Sequence, residues 1–204
     1  MQLIPIDREI DGMTPGITWV EHTQTGQLYV FKPDTDKQEH EVELEVHRKF
    51  SPWGFDLVLP IKHEFHGKVG ILTKDFKTDI RAKYVDGFQL NTAFSLIDIT
   101  NFEPTELTRK LVQIMQLDSL IQNSDRHPGN IVFKLNRENI PIDVAPIFDN
   151  VVSLHFSKSR NSLFGIDNKK VWTHEANMDF IREHPILKTF LREPDPWSDS
   201  TNFQ

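Results

Sequence analysis

The sequence predicts an α+β fold in two parts: a small antiparallel sheet, then a mainly helical half that carries one β-hairpin. Three observations predict it. The first half sets short β-rich runs around one amphipathic helix, in the order strand, strand, helix, strand, strand. The second half contains a long helix with regular apolar spacing. That helix runs straight into a polar loop, Asn123 to Asn130, followed by two apolar runs. A chain of 204 residues suits one compact domain, or two small lobes sharing a cleft.

The elements follow from local chemistry. Residues 17–22 and 27–32 flank Thr23-Gln24-Thr25-Gly26, a hairpin with glycine in its turn. Pro33 ends the second strand. Residues 36–50 predict a helix with Val42, Val46 and Phe50 on one face. Ser51-Pro52-Trp53-Gly54 breaks it. Strands are expected at 56–61 and 67–73, with His63-Glu64-Phe65-His66 in the turn between them. Residues 75–103 are polar and carry no assignable period. Pro104 sits at a helix start, and Leu107, Leu111, Ile114, Leu117 and Ile121 continue the helix to about Asn123. Residues 131–135 and 142–148 read as a hairpin turning at 136–139, with Asp149 at its far end. The single domain 1–204 thus divides into 1–73 and 74–193, and the tail from Pro194 onward reads as poorly ordered.

Composition excludes several classes. A net charge of -7 without a basic stripe argues against nucleic-acid binding. The absence of cysteine removes disulfides, thiolate zinc sites and thiol nucleophiles, and it fits a reducing compartment. The N-terminus has no basic region leading into an apolar run, and no segment is long enough to cross a bilayer, so a soluble cytoplasmic protein is expected. His22, His63, His66, His155, His174 and His184 show no metal-site spacing.

The chemistry concentrates in Asp125, Asn130 and Asp149. Such a set can orient or deprotonate an acceptor hydroxyl with its first carboxylate and hold Mg²⁺ on ATP phosphates with the amide and the second carboxylate. Hard oxygen donors suit Mg²⁺, which keeps waters and takes only one or two protein ligands. An Asp and an Asn five positions apart are common in turns and caps. The pattern gains weight from Arg126-His127 between them, the adjoining hairpin and Asp149.

The run Asn123 to Asn130 resembles the catalytic loop of HipA-like kinases, part of a wider superfamily that includes phosphatidylinositol kinases with Asp-Arg-His-x-x-Asn loops. Pro146-Ile147-Phe148-Asp149-Asn150 resembles the metal-binding segment of that group. Lys32 stands where the family has its phosphate-contacting lysine, and Gly12-Met13-Thr14-Pro15-Gly16 is similar to the short loop of compact members. The resemblance implies a two-lobed protein-kinase-like fold that uses ATP and Mg²⁺. It makes Asp125 the catalytic residue, Asn130 and Asp149 metal ligands, and Lys32 a phosphate contact. A helical glutamate should pair with Lys32. Glu41 is the choice and Glu45 its main rival, with Glu39 and Glu43 also open. The base should lie against Lys74, Asp75 and Phe76, and Gly12, Thr14 and Gly16 should lie near the phosphates.

Several residues admit two readings. Residues 12–16 read equally as an ordinary turn, and Thr14 is a candidate for autophosphorylation. His127 is read as a prop for the loop in preference to a general base or a metal ligand. Arg126 is either structural or a phosphate contact, and Asp118 is either an anchor for the loop or part of a solvated helix face. The chain also departs from the family. HipA-type toxins are longer, with an additional N-terminal subdomain and a larger helical lobe. Asn150-Val151-Val152-Ser153 follows Asp149 where eukaryotic protein kinases have Phe-Gly, so no activation loop is expected. A protein serine or threonine is the expected acceptor, with a small molecule or lipid headgroup as the variant. A non-catalytic nucleotide-binding protein on the same fold is the alternative from another class.

Overall fold

The computed structural model describes residues 1–8, 16–34, 39–77, 82–90, 94–150 and 161–192. Gly12, Thr14 and the tail from Pro194 lie outside the described residues.

The first half builds one sheet. Strands β1 (Leu3–Ile6), β2 (Thr18–His22) and β3 (Leu28–Pro33) precede helix α1 (Glu39–Phe50), and β4 (Pro60–Phe65) and β5 (Lys68–Lys74) follow it. The five strands lie in the order β1-β2-β3-β5-β4, each antiparallel to its neighbours. The predicted β2–β3 hairpin forms, with Gly26 in the left-handed region at φ 68°. β1 has no clear signal in a run as short as Leu3-Ile4-Pro5-Ile6. Arg8 just beyond it lies 4.0 Å over the Trp19 ring and pairs with Asp75.

Two expectations need correcting. The strand expected at 56–61 begins only at Pro60, because Leu57 instead bridges in parallel to Ile147. His63, Glu64 and Phe65 are strand residues, and the reversal falls on His66 and Gly67, at φ 51° and 74°. Gly70 has a strict role. A Cβ there would stand 2.2 Å from the Lys32 carbonyl oxygen and 2.7 Å from Pro33 Cα, both on the neighbouring strand. Gly70→Ala should cost about 2–3 kcal/mol through overpacking. For a domain of this size that is a Tm loss of roughly 4–12 °C in a calorimetric scan; an unchanged Tm would place β5 elsewhere.

The second half mixes helices with two small sheets. It contains β6 (Lys83–Asp86), α2 (Leu96–Thr100), α3 (Glu106–Ile121), β7 (Val132–Leu135), β8 (Pro141–Val144), β9 (Asn161–Ser162), β10 (Trp172–Thr173) and α4 (His174–Glu183). The predicted hairpin β7–β8 gains β6 as a third strand on its other side, from a region without a readable period. The long helix α3 starts at a Thr105 cap, whose hydroxyl accepts from Thr108 N, and stops at Gln122, at φ 53°. β8 ends at Val144 rather than running to Phe148, so Asp149 lies in an irregular segment.

Among the described residues most of the buried apolar side chains fall into two clusters. Val20, Phe31 and Leu72 form a small one within the sheet. The larger one joins Val42, Val46 and Phe50 of α1 to Leu111, Met115 and Leu117 of α3, Phe133 of β7, and Met178 and Ile181 of α4. Among the described residues no helix is long and apolar enough to cross a membrane.

Candidate active site

The loop after α3 is held by its own polar atoms. Asp125 N donates to Asn123 Oδ1 at 3.0 Å, and His127 N donates to Asp125 O at 2.8 Å. His127 Nδ1 accepts from Gly129 N at 3.1 Å and caps the short 3-10 turn Pro128–Asn130. That bond puts the proton of the neutral ring on Nε2. His127 therefore props the loop, and Phe88 stacks on its ring at 5.7 Å between centroids. From β6, Gly87 N donates to Pro128 O at 2.9 Å. A Cβ at Gly87 would meet that same oxygen at 2.8 Å and the Phe94 ring at 2.7 Å, so only glycine lets β6 approach the loop so closely.

Asn130 Nδ2 donates to Asp125 O at 3.0 Å, which ties together the two ends of the Asp-x-x-x-x-Asn pattern. The amide uses its nitrogen in that bond, so its oxygen is the end that can meet a cation. The Asp125 side chain is part-exposed, as an acceptor site requires.

Arg126 is the organising residue, and it is fully buried. Its Nε and Nη2 donate to Asp118 on α3 at 3.0–3.2 Å. Its Nη1 donates to Phe148 O and its Nη2 to Asn150 Oδ1, both at 2.6 Å. One guanidinium thus joins α3, the loop and the Asp149 segment. The guanidinium is committed to these bonds in the interior, and Asp118 is a buried anchor that accepts from Arg126 and from Asn123 Nδ2.

Asp149 lies between the two residues that Arg126 holds, at φ 56°. Its Oδ1 lies 3.1 Å from Lys32 Nζ, so β3 and the Asp149 segment meet at this pair. The glutamate facing that pair is neither Glu41 nor Glu45. Glu41 is exposed and pairs with Lys62 at 2.8 Å and with His40 at 2.9 Å. Glu45 pairs with Arg48 and Lys49 on the outer face of α1. Among the glutamates of α1 whose side chains are described, Glu43 is the buried one, accepting from Asn150 N at 2.5 Å and from Asn150 Nδ2 at 3.2 Å. Burial pushes its carboxyl above the usual range and the neighbouring Asp149 charge adds to this, while bonds from Asn150 and the Lys32 charge oppose it. The helix period carried the signal. Glu43 lies three and seven residues before Val46 and Phe50, on the apolar stripe, as Glu39 does before Val42 and Val46, whereas Glu41 and Glu45 do not; the Glu39 side chain lies outside the described residues.

The residues expected around a base are divided. Asp75 is engaged already, its N–H donating to Leu28 O and its carboxylate accepting from Arg8 and from Lys77 N. Lys74 is exposed at the end of β5. Phe76 stacks on Phe148 at 5.7 Å with 29° between the rings, next to Asp149. Gly16, at φ 85°, faces Pro33 and Lys68 Nζ. His174, one of the scattered histidines, is buried behind the loop. Burial holds it below the usual imidazole range, against the opposing pull of Asp118 and a bond to the Asn123 backbone.

No protein-family model matches the chain, and no curated protein matches it. Solved structures do. The proinflammatory kinase CtkA of Helicobacter pylori superposes with a TM-score of 0.61 at 18% identity, over 90% of this chain and 75% of that one. HipA of Shewanella oneidensis MR-1, solved in a complex with HipB and operator DNA, superposes with a TM-score of 0.62 at 13% identity. This chain is covered to 94% and spans 62% of that HipA. The chain therefore has the fold of the HipA-like kinases.

Proposed function

We propose that the chain is an ATP- and Mg²⁺-dependent phosphotransferase, a serine/threonine protein kinase of the HipA-like type. The observation that carries this reading is the buried Arg126, which fastens the loop bearing Asp125 and Asn130 to the segment bearing Asp149. The kinase fold supplies the frame for it.

In this reading the sheet through residue 73 is the N-lobe, and residues 74–193 form the C-lobe with its catalytic hairpin. The donor set fits Mg²⁺. It offers one carboxylate, Asp149, and one amide oxygen, Asn130, and phosphate oxygens complete the shell. Among the described residues no group of three or more His, Asp or Glu could hold a metal without such help. Bound Mg²⁺ would neutralise charge on the phosphates. The chain's own residues do the rest. Lys32 presents its ammonium from β3 to the phosphates, beside Asp149. Phe76 and Phe148 offer an aromatic surface for the base. Asp125 accepts a hydrogen bond from the acceptor hydroxyl and takes its proton as the oxygen attacks the γ-phosphorus and the bond from that phosphorus to the bridging oxygen breaks, releasing ADP. The acidic net charge and the lack of cysteine support a protein acceptor in a reducing cytoplasm over an anionic membrane or nucleic acid.

The test is γ-labelled ATP with Mg²⁺ and a cell extract, with wild type beside Asp125→Ala. Label should enter a protein band in the wild type, with this chain itself among the candidates. In the variant turnover should fall by roughly 10²–10⁴-fold. Its nucleotide dissociation constant should stay within about threefold, because Asp125 acts on the acceptor. Mg²⁺-dependent ATP binding with no label in any protein would favour a small-molecule acceptor or a non-catalytic role. Normal labelling by the variant would remove Asp125 from the chemistry.

A further inference from the structure

The Asp149 segment is held by Arg126 on one side and by Glu43 on the other, and the Asn150 side chain bonds to both. Asn150 is buried, with 2% of its surface exposed. Its amide oxygen accepts from Arg126, at the head of the Asp118 pair. Its amide nitrogen and its backbone N–H both donate to Glu43 on α1. The Asn150 amide accepts from the guanidinium with its oxygen and donates to the carboxylate with its nitrogen, and its short arm fits between them. Asp149 next to it sits in the left-handed region, a conformation that persists only where the surroundings over-determine it.

We propose that Asn150 is a positioning residue for the proposed phosphotransfer. It sets the Asp149 carboxylate toward Lys32 and the metal, and Glu43 serves the site by holding Asn150. This rests on the phosphotransferase reading. A merely structural role for Asn150 would affect stability and leave metal-dependent binding alone, so the two can be separated.

The bonding scheme permits an exchange of partners. Asn150→Asp replaces the donor with a second carboxylate facing Glu43, and Glu43→Gln sets an amide donor against the Asn150 amide. Together they rebuild the pair with its polarity reversed and the local charge unchanged. The backbone N–H of residue 150 still meets an oxygen at 43, and Arg126 still meets one at 150. Dissociation constants for ATP should be measured by calorimetry with Mg²⁺ and again with EDTA, and Tm should be recorded for each variant. Each single change should weaken Mg²⁺·ATP binding about tenfold, the size of one buried hydrogen bond lost. The values in EDTA should change by less than about threefold, and the double variant should return to within about threefold of wild type.

Singles that bind Mg²⁺·ATP like wild type, losses equal with and without Mg²⁺, or a double variant that fails to fold or binds no better than the worse single would each overturn the proposal. If Asn150→Asp alone does not fold, Glu43→Gln and the double variant still decide it. Wild-type protein that binds no Mg²⁺·ATP would sink the phosphotransferase reading and this proposal with it. Wild type that binds while the variants bind equally would sink this proposal alone.

Discussion

Asp149→Ala should abolish Mg²⁺-dependent ATP binding, with turnover down about a thousandfold or more, because a metal's charge stabilisation is worth several kcal/mol and each 1.4 kcal/mol is tenfold. The physical reason lies in the site's arithmetic of charge. Asp149 is the single carboxylate at the proposed metal position, and Asn130 contributes a neutral oxygen. Removing it leaves Mg²⁺ with no anionic protein ligand, and it also strips Lys32 of the carboxylate 3.1 Å from its ammonium. Asp149→Asn keeps the size and an oxygen and removes only the charge, so it separates the loss of charge from the loss of the side chain. Calorimetric titration of ATP at increasing Mg²⁺ is the measurement. A wild-type Mg²⁺ midpoint in Asp149→Ala would rule Asp149 out as a ligand.

Arg126→Ala should be the most destabilising single change in the loop. The guanidinium makes five hydrogen bonds to Asp118, Phe148 O and Asn150. Asp118 is 1% exposed, so its carboxylate would remain buried without its cation. Breaking a buried pair from one side typically costs about 3–5 kcal/mol, or roughly 6–20 °C in Tm for a domain of this size. Arg126→Lys should recover little, because an ammonium cannot serve three acceptors in the plane that the fork occupies. Nucleotide binding should fall as well, since the Asp149 segment loses its tether. A stability loss under about 1 kcal/mol would mean the pair is not formed as described.

What the sequence disclosed, and what it hid, follows from the range of each signal. The β2–β3 hairpin, the stripe of α1, the period of α3 and the β7 strand are local patterns, and each is found within a few residues of its expected place. The loop was legible because its Asp, His and Asn bond one another over five positions. The partner of Asn150 was not. The apolar stripe of α1 sets Glu43 apart from Glu41 and Glu45, but only the direction of α1 against the segment 148–150 brings it to Asn150. Likewise β6 acquires its strand character from pairing with β7, and Pro5 masks β1 until β2 pairs with it. Leu57 looked like strand because it is apolar, and its one bridge to Ile147 is a long-range fact.

The two apolar clusters redraw the boundary between the chain's mechanical units. By sequence α1 belongs to the sheet, lying between β3 and β4. By burial its Val42, Val46 and Phe50 belong with α3, β7 and α4, and the Leu57–Ile147 bridge with Glu43 on Asn150 adds polar stitches along the same seam. Among the described residues, the sheet's own core is the small cluster of Val20, Phe31 and Leu72 with Leu3, Tyr29, Ile61 and Phe65 packed against it. Under denaturant, α1 should therefore exchange its amide protons in step with the larger body, while β1 to β5 open as the less protected group. The helix is borrowed from the first half of the chain to finish the second, and a cut at residue 74 would leave both pieces short of a core.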